Sequence, residues 1–121
     1  MGLIFLLLGG ISGAISVALG AFGAHGLKPR LRPDRLDTFE TGVRYQIYHA
    51  LALIVAAVLV TLFPTSPYPV AAGWLFIAGT LLFSGSLHLL VFTSKRWFGA
   101  IAPLGGLAFM AGWVCLGLTA L

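Results

Sequence analysis

Charge is what this chain has least of. Of its 121 residues only 8% are Asp, Glu, Lys or Arg, against 60% that are hydrophobic. A water-soluble domain carries about a quarter charged residues to solvate its surface. This chain cannot cover itself in water, so its solvent is lipid. Acids are scarcest: three Asp and Glu stand against seven Lys and Arg, for a net charge of +4. In a soluble protein that balance would raise nucleic acid as a partner. Here the cations stand beside apolar stretches, so nucleic acid is not the reading. Their meaning is topological, with attraction to anionic headgroups second. Cysteine occurs once, as Cys115. One thiol makes no internal disulfide and excludes a two-cysteine metal site. In an apolar stretch it reads as a small packing residue. Linkers, low-complexity tracts and convincing internal repeats are missing too, and a chain this short reads as one domain. There is no HExxH, no phosphate loop and no nucleophile elbow, so nothing argues for an enzyme.

What the chain does have is four apolar stretches, at about residues 3–24, 45–63, 70–92 and 98–121. A spanning helix needs about 20 apolar residues, and each stretch meets that length. Met1-Gly2-Leu3 carries no cation, which argues against reading the first stretch as a cleaved signal peptide. The gaps differ in kind. The first holds Lys28, Arg30, Arg32, Arg35 and Arg44; the third holds Lys95 and Arg96; the second, Pro64-Thr65-Ser66-Pro67-Tyr68-Pro69, holds no charge. With four spans the first and third gaps face one side. The positive-inside rule makes that side the cytoplasm. The expectation is an all-α integral membrane protein of the cell (inner or plasma) membrane. It is a four-transmembrane-helix bundle with loops 25–44 and 93–97 cytoplasmic and both termini outside. Trp97 suits the inner interface, and Tyr68 and Trp74 the outer one. Trp113 falls deeper, as a packing residue.

The first gap is more than loop. After Pro33 the run Leu36, Phe39, Val43, Ile47 has helical spacing, and Asp34, Asp37 and Glu40 lie near its start. Proline in a first turn and acids at an N-terminus suit helix initiation. The second helix is therefore predicted to begin near Asp34, with residues 34–44 amphipathic and lying in the interface. Glu40 and Arg44 have the i,i+4 spacing of an intrahelical ion pair.

Helices in lipid are held by close packing of small residues and by interhelical hydrogen bonds. Gly9, Gly13, Ser16, Gly20 and Gly23 form one stripe along the first helix. Gly105, Ala108 and Gly112 share a face of the fourth, and Ala52 and Ala56 a face of the second. These faces predict packing inside the bundle, or a seam with another subunit. Pro103 permits either a late start or a kink in the fourth helix.

Three histidines, His25, His49 and His88, fall toward the cytoplasmic ends of three different stretches. On a helical wheel Tyr45, Tyr48 and His49 share an arc, with Gln46 at its edge. Thr80, Ser84 and His88 share another. Polar groups in a membrane must face protein or water. The candidate pocket is therefore Tyr45, Gln46, Tyr48, His49, Ser84 and His88, with His25 nearby. It could be a hydrogen-bonded clamp between helices, or a pocket for a small molecule or a proton. Three imidazoles could also hold Zn²⁺, and two could ligate haem, though no metal or cofactor is required by any motif.

The run Gly20-Ala21-Phe22-Gly23-Ala24-His25-Gly26-Leu27 resembles the YgdD/YwdK-like small membrane proteins, a domain of unknown function. Further matching blocks are Phe39-Glu40-Thr41-Gly42-Val43-Arg44-Tyr45-Gln46 with Tyr48-His49-Ala50-Leu51, Phe83-Ser84-Gly85-Ser86-Leu87, Pro103-Leu104-Gly105-Gly106 and Gly112-Trp113. The likeness covers essentially the whole chain. It implies four membrane helices and brings no established activity. The family pattern carries Tyr after Ser-Gly-Ser-Leu, where this chain has His88. Tyr is a poor ligand for a divalent metal, so any shared site centres on His25, Tyr45, Gln46 and His49. The expected role is a helical packing or accessory module of an oligomer or larger membrane assembly. Small-molecule or proton binding comes second, and a metal or haem site third.

Overall fold

A computed structural model describes residues 1–121. It is all-helical, with four helices long and apolar enough to cross a membrane: α1 (Gly2–Leu27), α2 (Pro33–Leu62), α3 (Tyr68–Thr93) and α4 (Trp97–Leu118). Each follows from an apolar run whose backbone polar groups have no partner in lipid except their own helix. Prolines sit in the first turns of α2 and α3, where no intrahelical N–H is lost. Ser94 ends α3 in the left-handed region at φ 59°, which allows the short turn into α4. Pro103 lies inside α4, so that helix starts before its proline rather than at it.

The helices make a bundle built on a central pair. α2 packs against α1 on one side and α3 on the other, and α4 packs on α3; α1 and α4 share no extended contact. The termini lie beside the α2–α3 connection: Met1 lines a crevice with Thr61 and Leu62, and Leu121 one with Phe63 and Tyr68.

The glycine stripe of α1 faces α2. A methyl group on Gly9 would meet Ile54 Cγ1 at 2.8 Å and the Ala50 carbonyl oxygen at 3.1 Å, while Gly20 and Gly23 face Val43 and Phe39. Ser16, in the same stripe, is buried and donates to the Ser12 carbonyl at 2.8 Å. Between α3 and α4 the approach is closer. A methyl group on Gly105 would fall on the backbone of Leu82 and Phe83. Aromatic rings occupy the space other glycines leave: Phe5 over Gly73, Phe109 over Gly79 and Phe76 over Gly112. The main core joins these rings to Ala52, Leu53, Ala56, Ala57 and Ala72.

Helix α2 begins at Pro33, and residues 34–44 are the first turns of one 30-residue helix. Their apolar face is spent inside the bundle, where Phe39 packs with Leu27 and Val91. Arg35 Nη1 adds a hydrogen bond to the Val91 carbonyl at 3.2 Å. Glu40 and Arg44 do not pair. The Arg44 guanidinium donates to Thr41 Oγ1 at 3.1 Å, and the salt bridge of this region is Arg32–Asp34 at 2.8 Å, both exposed. An exposed i,i+4 pair gains only about 0.2–0.5 kcal/mol, so a nearby hydroxyl competes with it on equal terms.

Candidate functional site

α2 is the root of two polar bridges. In the first, Gln46 Nε2 donates to the Ser12 carbonyl at 3.3 Å and contacts Ser12 Oγ at 3.4 Å. Its Oε1 lies 3.2 Å from His88 Nε2. An amide oxygen only accepts, so His88 Nε2 carries the proton. One side chain thus ties α2 to both α1 and α3. His88 Nδ1 and Ser84 Oγ, one turn apart, are buried without a hydrogen-bond partner. Gly42 stands against that edge of the ring: a methyl group there would come within 3.1 Å of Nδ1.

The second bridge ties α2 to α4. His49 Nδ1 lies 2.6 Å from the Tyr45 carbonyl, and Trp113 Nε1 donates to His49 Nε2 at 3.0 Å. A carbonyl accepts and an indole donates, so His49 is the neutral Nδ1–H tautomer. The ring is 4% exposed and stacks on Phe109 with centroids 3.5 Å apart.

The predicted residues therefore divide. Gln46 meets His88; His49 meets the backbone of Tyr45; Ser84 stands one turn from His88. Tyr45 and Tyr48 turn outward, 41% and 51% exposed. His25 lies exposed in the π-turn Gly23–Leu27 that ends α1, apart from the other two imidazoles. No three His, Cys, Asp or Glu come together to hold a metal ion. The His49 Nε2 lone pair, the one such a site would use, is occupied by the Trp113 indole. Ser12 and Trp113 were not in the predicted site. The signal for Trp113 was an indole N–H deep in an apolar stretch, which must find an acceptor.

Two open grooves flank the central pair. One, of about 610 Å³, runs between α2 and α4. Its floor is His49, Ala52, Gly106 and Phe109, and its walls include Tyr45, Tyr48, Met110 and Trp113. The other, of about 220 Å³, lies between α1 and α3 over Gln46 and Leu53 of α2.

These features define a small polytopic membrane protein, a four-helix bundle bridged by buried uncharged side chains. The chain belongs to the family described as protein of unknown function (DUF423), whose profile matches residues 19–106. It is similar to the UPF0382 membrane protein YwdK of Bacillus subtilis, 45% identical over 113 residues that cover 93% of this chain and 92% of the relative. A Staphylococcus haemolyticus relative, UPF0382 membrane protein SH2409, is also 45% identical, over 93% of this chain and 91% of its own. No solved structure matches the chain. The relatives' names give a location, the membrane, and neither an activity nor a cofactor.

Proposed function

We propose that this protein is a helical packing module that assembles with copies of itself in the membrane. The observation that carries the reading is the groove between α2 and α4. Its walls hold two tyrosines whose hydroxyls bond to nothing in the chain, and its floor contains small residues, Ala52 and Gly106. The occupant is the outer face of α1 from a neighbouring copy. That face mixes small and branched residues: Gly10, Ala14, Ala18 and Ala21 are exposed together with Leu7 and Val17, and a methyl group on Gly10 would meet nothing within 4 Å. The heights match. Gly9 and Gly13 lie against Ala50, so Gly10 and Ala14 stand level with the middle of the groove. Copies that share one orientation in a bilayer keep this register. Contact between two different faces closes into a ring or runs on as a chain.

The test is a cross-link. In a Cys115→Ala background, Ala14→Cys combined with Leu51→Cys is expected to give disulfide-linked ladders in native membranes. Gly10→Leu should abolish the ladder and leave the fold intact. A particle of one-chain mass in mild detergent, with no ladder in membranes, overturns the reading.

The same reading sets loops 25–44 and 93–97 in the cytoplasm and both termini outside, on the strength of the cation distribution. An impermeant amine reagent is expected to spare Lys28 and Lys95 in intact cells and to modify them once the membrane is opened. Modification in intact cells would invert the topology. Small-molecule or proton binding at the polar cluster is a second reading, favoured by the unbonded His88 Nδ1 and Ser84 Oγ.

A further inference from the structure

The smaller groove, between α1 and α3, is distinct from the proposed assembly face. Three polar side chains from three helices line it: Ser12, Gln46 and Thr80. Each stands near the middle of its helix. The rest of the lining is aliphatic, including Ile15, Leu53 and Ile77.

Hydroxyls inside a helix commonly bond back to the carbonyl of the preceding turn. Ser16, Thr61, Thr93 and Thr119 do so here. Ser12 and Thr80 do not. Ser12 Oγ contacts only Gln46 Nε2, as an acceptor, so its own hydrogen is unspent. Thr80 is the first residue of the π-turn Thr80–Ser84, where the Gly85 N–H reaches back five residues to the Thr80 carbonyl. π-Turns inside α-helices recur at functional sites. Gln46 is 6% exposed and fixed by the first bridge. The groove thus presents two free hydroxyl groups beside a fixed amide, at a depth where lipid tails offer them nothing.

No ionisable group lines the groove. A charged guest would be stripped of water without a counter-ion, which costs several kcal/mol. A guest with no polar group would leave both hydroxyls unpaired. The volume, about 220 Å³, admits roughly seven or eight groups the size of a water molecule or a methylene. We propose that this groove binds a neutral medium-chain amphiphile: an aliphatic body of about eight heavy atoms ending in one hydroxyl or carbonyl, which enters sideways from the bilayer and bonds Ser12 and Thr80.

The probe is an aliphatic diazirine derivative of octanol, photolysed with the full chain in lipid nanodiscs and mapped by mass spectrometry. Label is expected to concentrate on α1 and α3 residues that line this groove. Octanol should compete with it, whereas octane and octanoate should compete at least fivefold less well. Ser12→Ala with Thr80→Val should weaken octanol competition at least fivefold and remove the preference over octane, at unchanged helical content. Should that pair fail to fold, Ile77→Phe, which fills the groove, is expected to abolish the label there. Equal competition by octane and octanol would reduce the groove to a crevice for lipid tails and overturn the proposal. So would label spread evenly over the outer faces of the bundle, or hydroxyl-deleted variants that bind unchanged.

Discussion

Gly105→Ala is expected to be the most destabilising single methyl group that can be added to this protein. The added carbon would fall on the backbone of Leu82 and Phe83. Backbone atoms cannot swing aside as a side chain can, so α3 and α4 must separate along their seam. Overpacking of this kind costs typically about 1–3 kcal/mol and more where relief is blocked; about 3 kcal/mol or more is expected here. Gly112→Ala is the graded control. Its methyl group meets the Phe76 ring, a side chain with some freedom to turn, so a smaller loss should follow. Gly117→Ala, facing open space, should cost nothing by contact. The check is thermal unfolding in mild detergent, followed by helical signal. A Gly105→Ala protein as stable as Gly117→Ala would mean that α3 and α4 do not approach as described.

The second large effect is expected at His49. Its ring fills the space between Phe76 and Phe109 and accepts the Trp113 indole hydrogen. His49→Ala removes both contributions. The cavity term for losing a large buried side chain is about 2–5 kcal/mol. The hydrogen bond adds less, since interhelical bonds in membranes average about 0.6 kcal/mol. A loss of about 3 kcal/mol is expected. His49→Phe keeps most of the packing and drops the bond, so it should cost about 1 kcal/mol. Trp113→Phe should then cost little more in the His49→Phe background, because the bond is already gone. Unfolding midpoints of the two single variants and the double variant supply the test. Strict additivity would show that the imidazole and the indole do not interact.

The spans were legible from sequence because apolar length is a property of composition along the chain, and lipid leaves few alternatives. The α1 stripe was legible too, since small residues at i and i+4 name a face. The face does not name its partner, and α2 rather than another subunit receives it. The polar site was harder to read, for a geometric reason. A wheel drawn at 3.6 residues per turn sets Thr80, Ser84 and His88 on one arc. The π-turn Thr80–Ser84 is wider than an α-turn, so the residues before it rotate away from those after it. Thr80 opens to the α1–α3 groove, while Ser84 is buried. His25 likewise falls in a π-turn, where Gly23 and Leu27 meet Phe39 of α2 while His25 itself is exposed. The pairing of His49 with Trp113 depends on the rotation of two helices distant in sequence, which no local pattern encodes.

Each helix finds much of its packing in its neighbour along the chain: α1 in α2, and α4 in α3. The protein is therefore two hairpins joined through their inner members. An N-terminal pair can zip up along its glycines while the second half is still being made, leaving Phe5 and Phe39 to meet Gly73 and Val91 afterwards. The two buried hydrogen-bond bridges then act as latches: Gln46 waits on α2 for His88, and His49 for Trp113. The order of synthesis becomes the order of assembly.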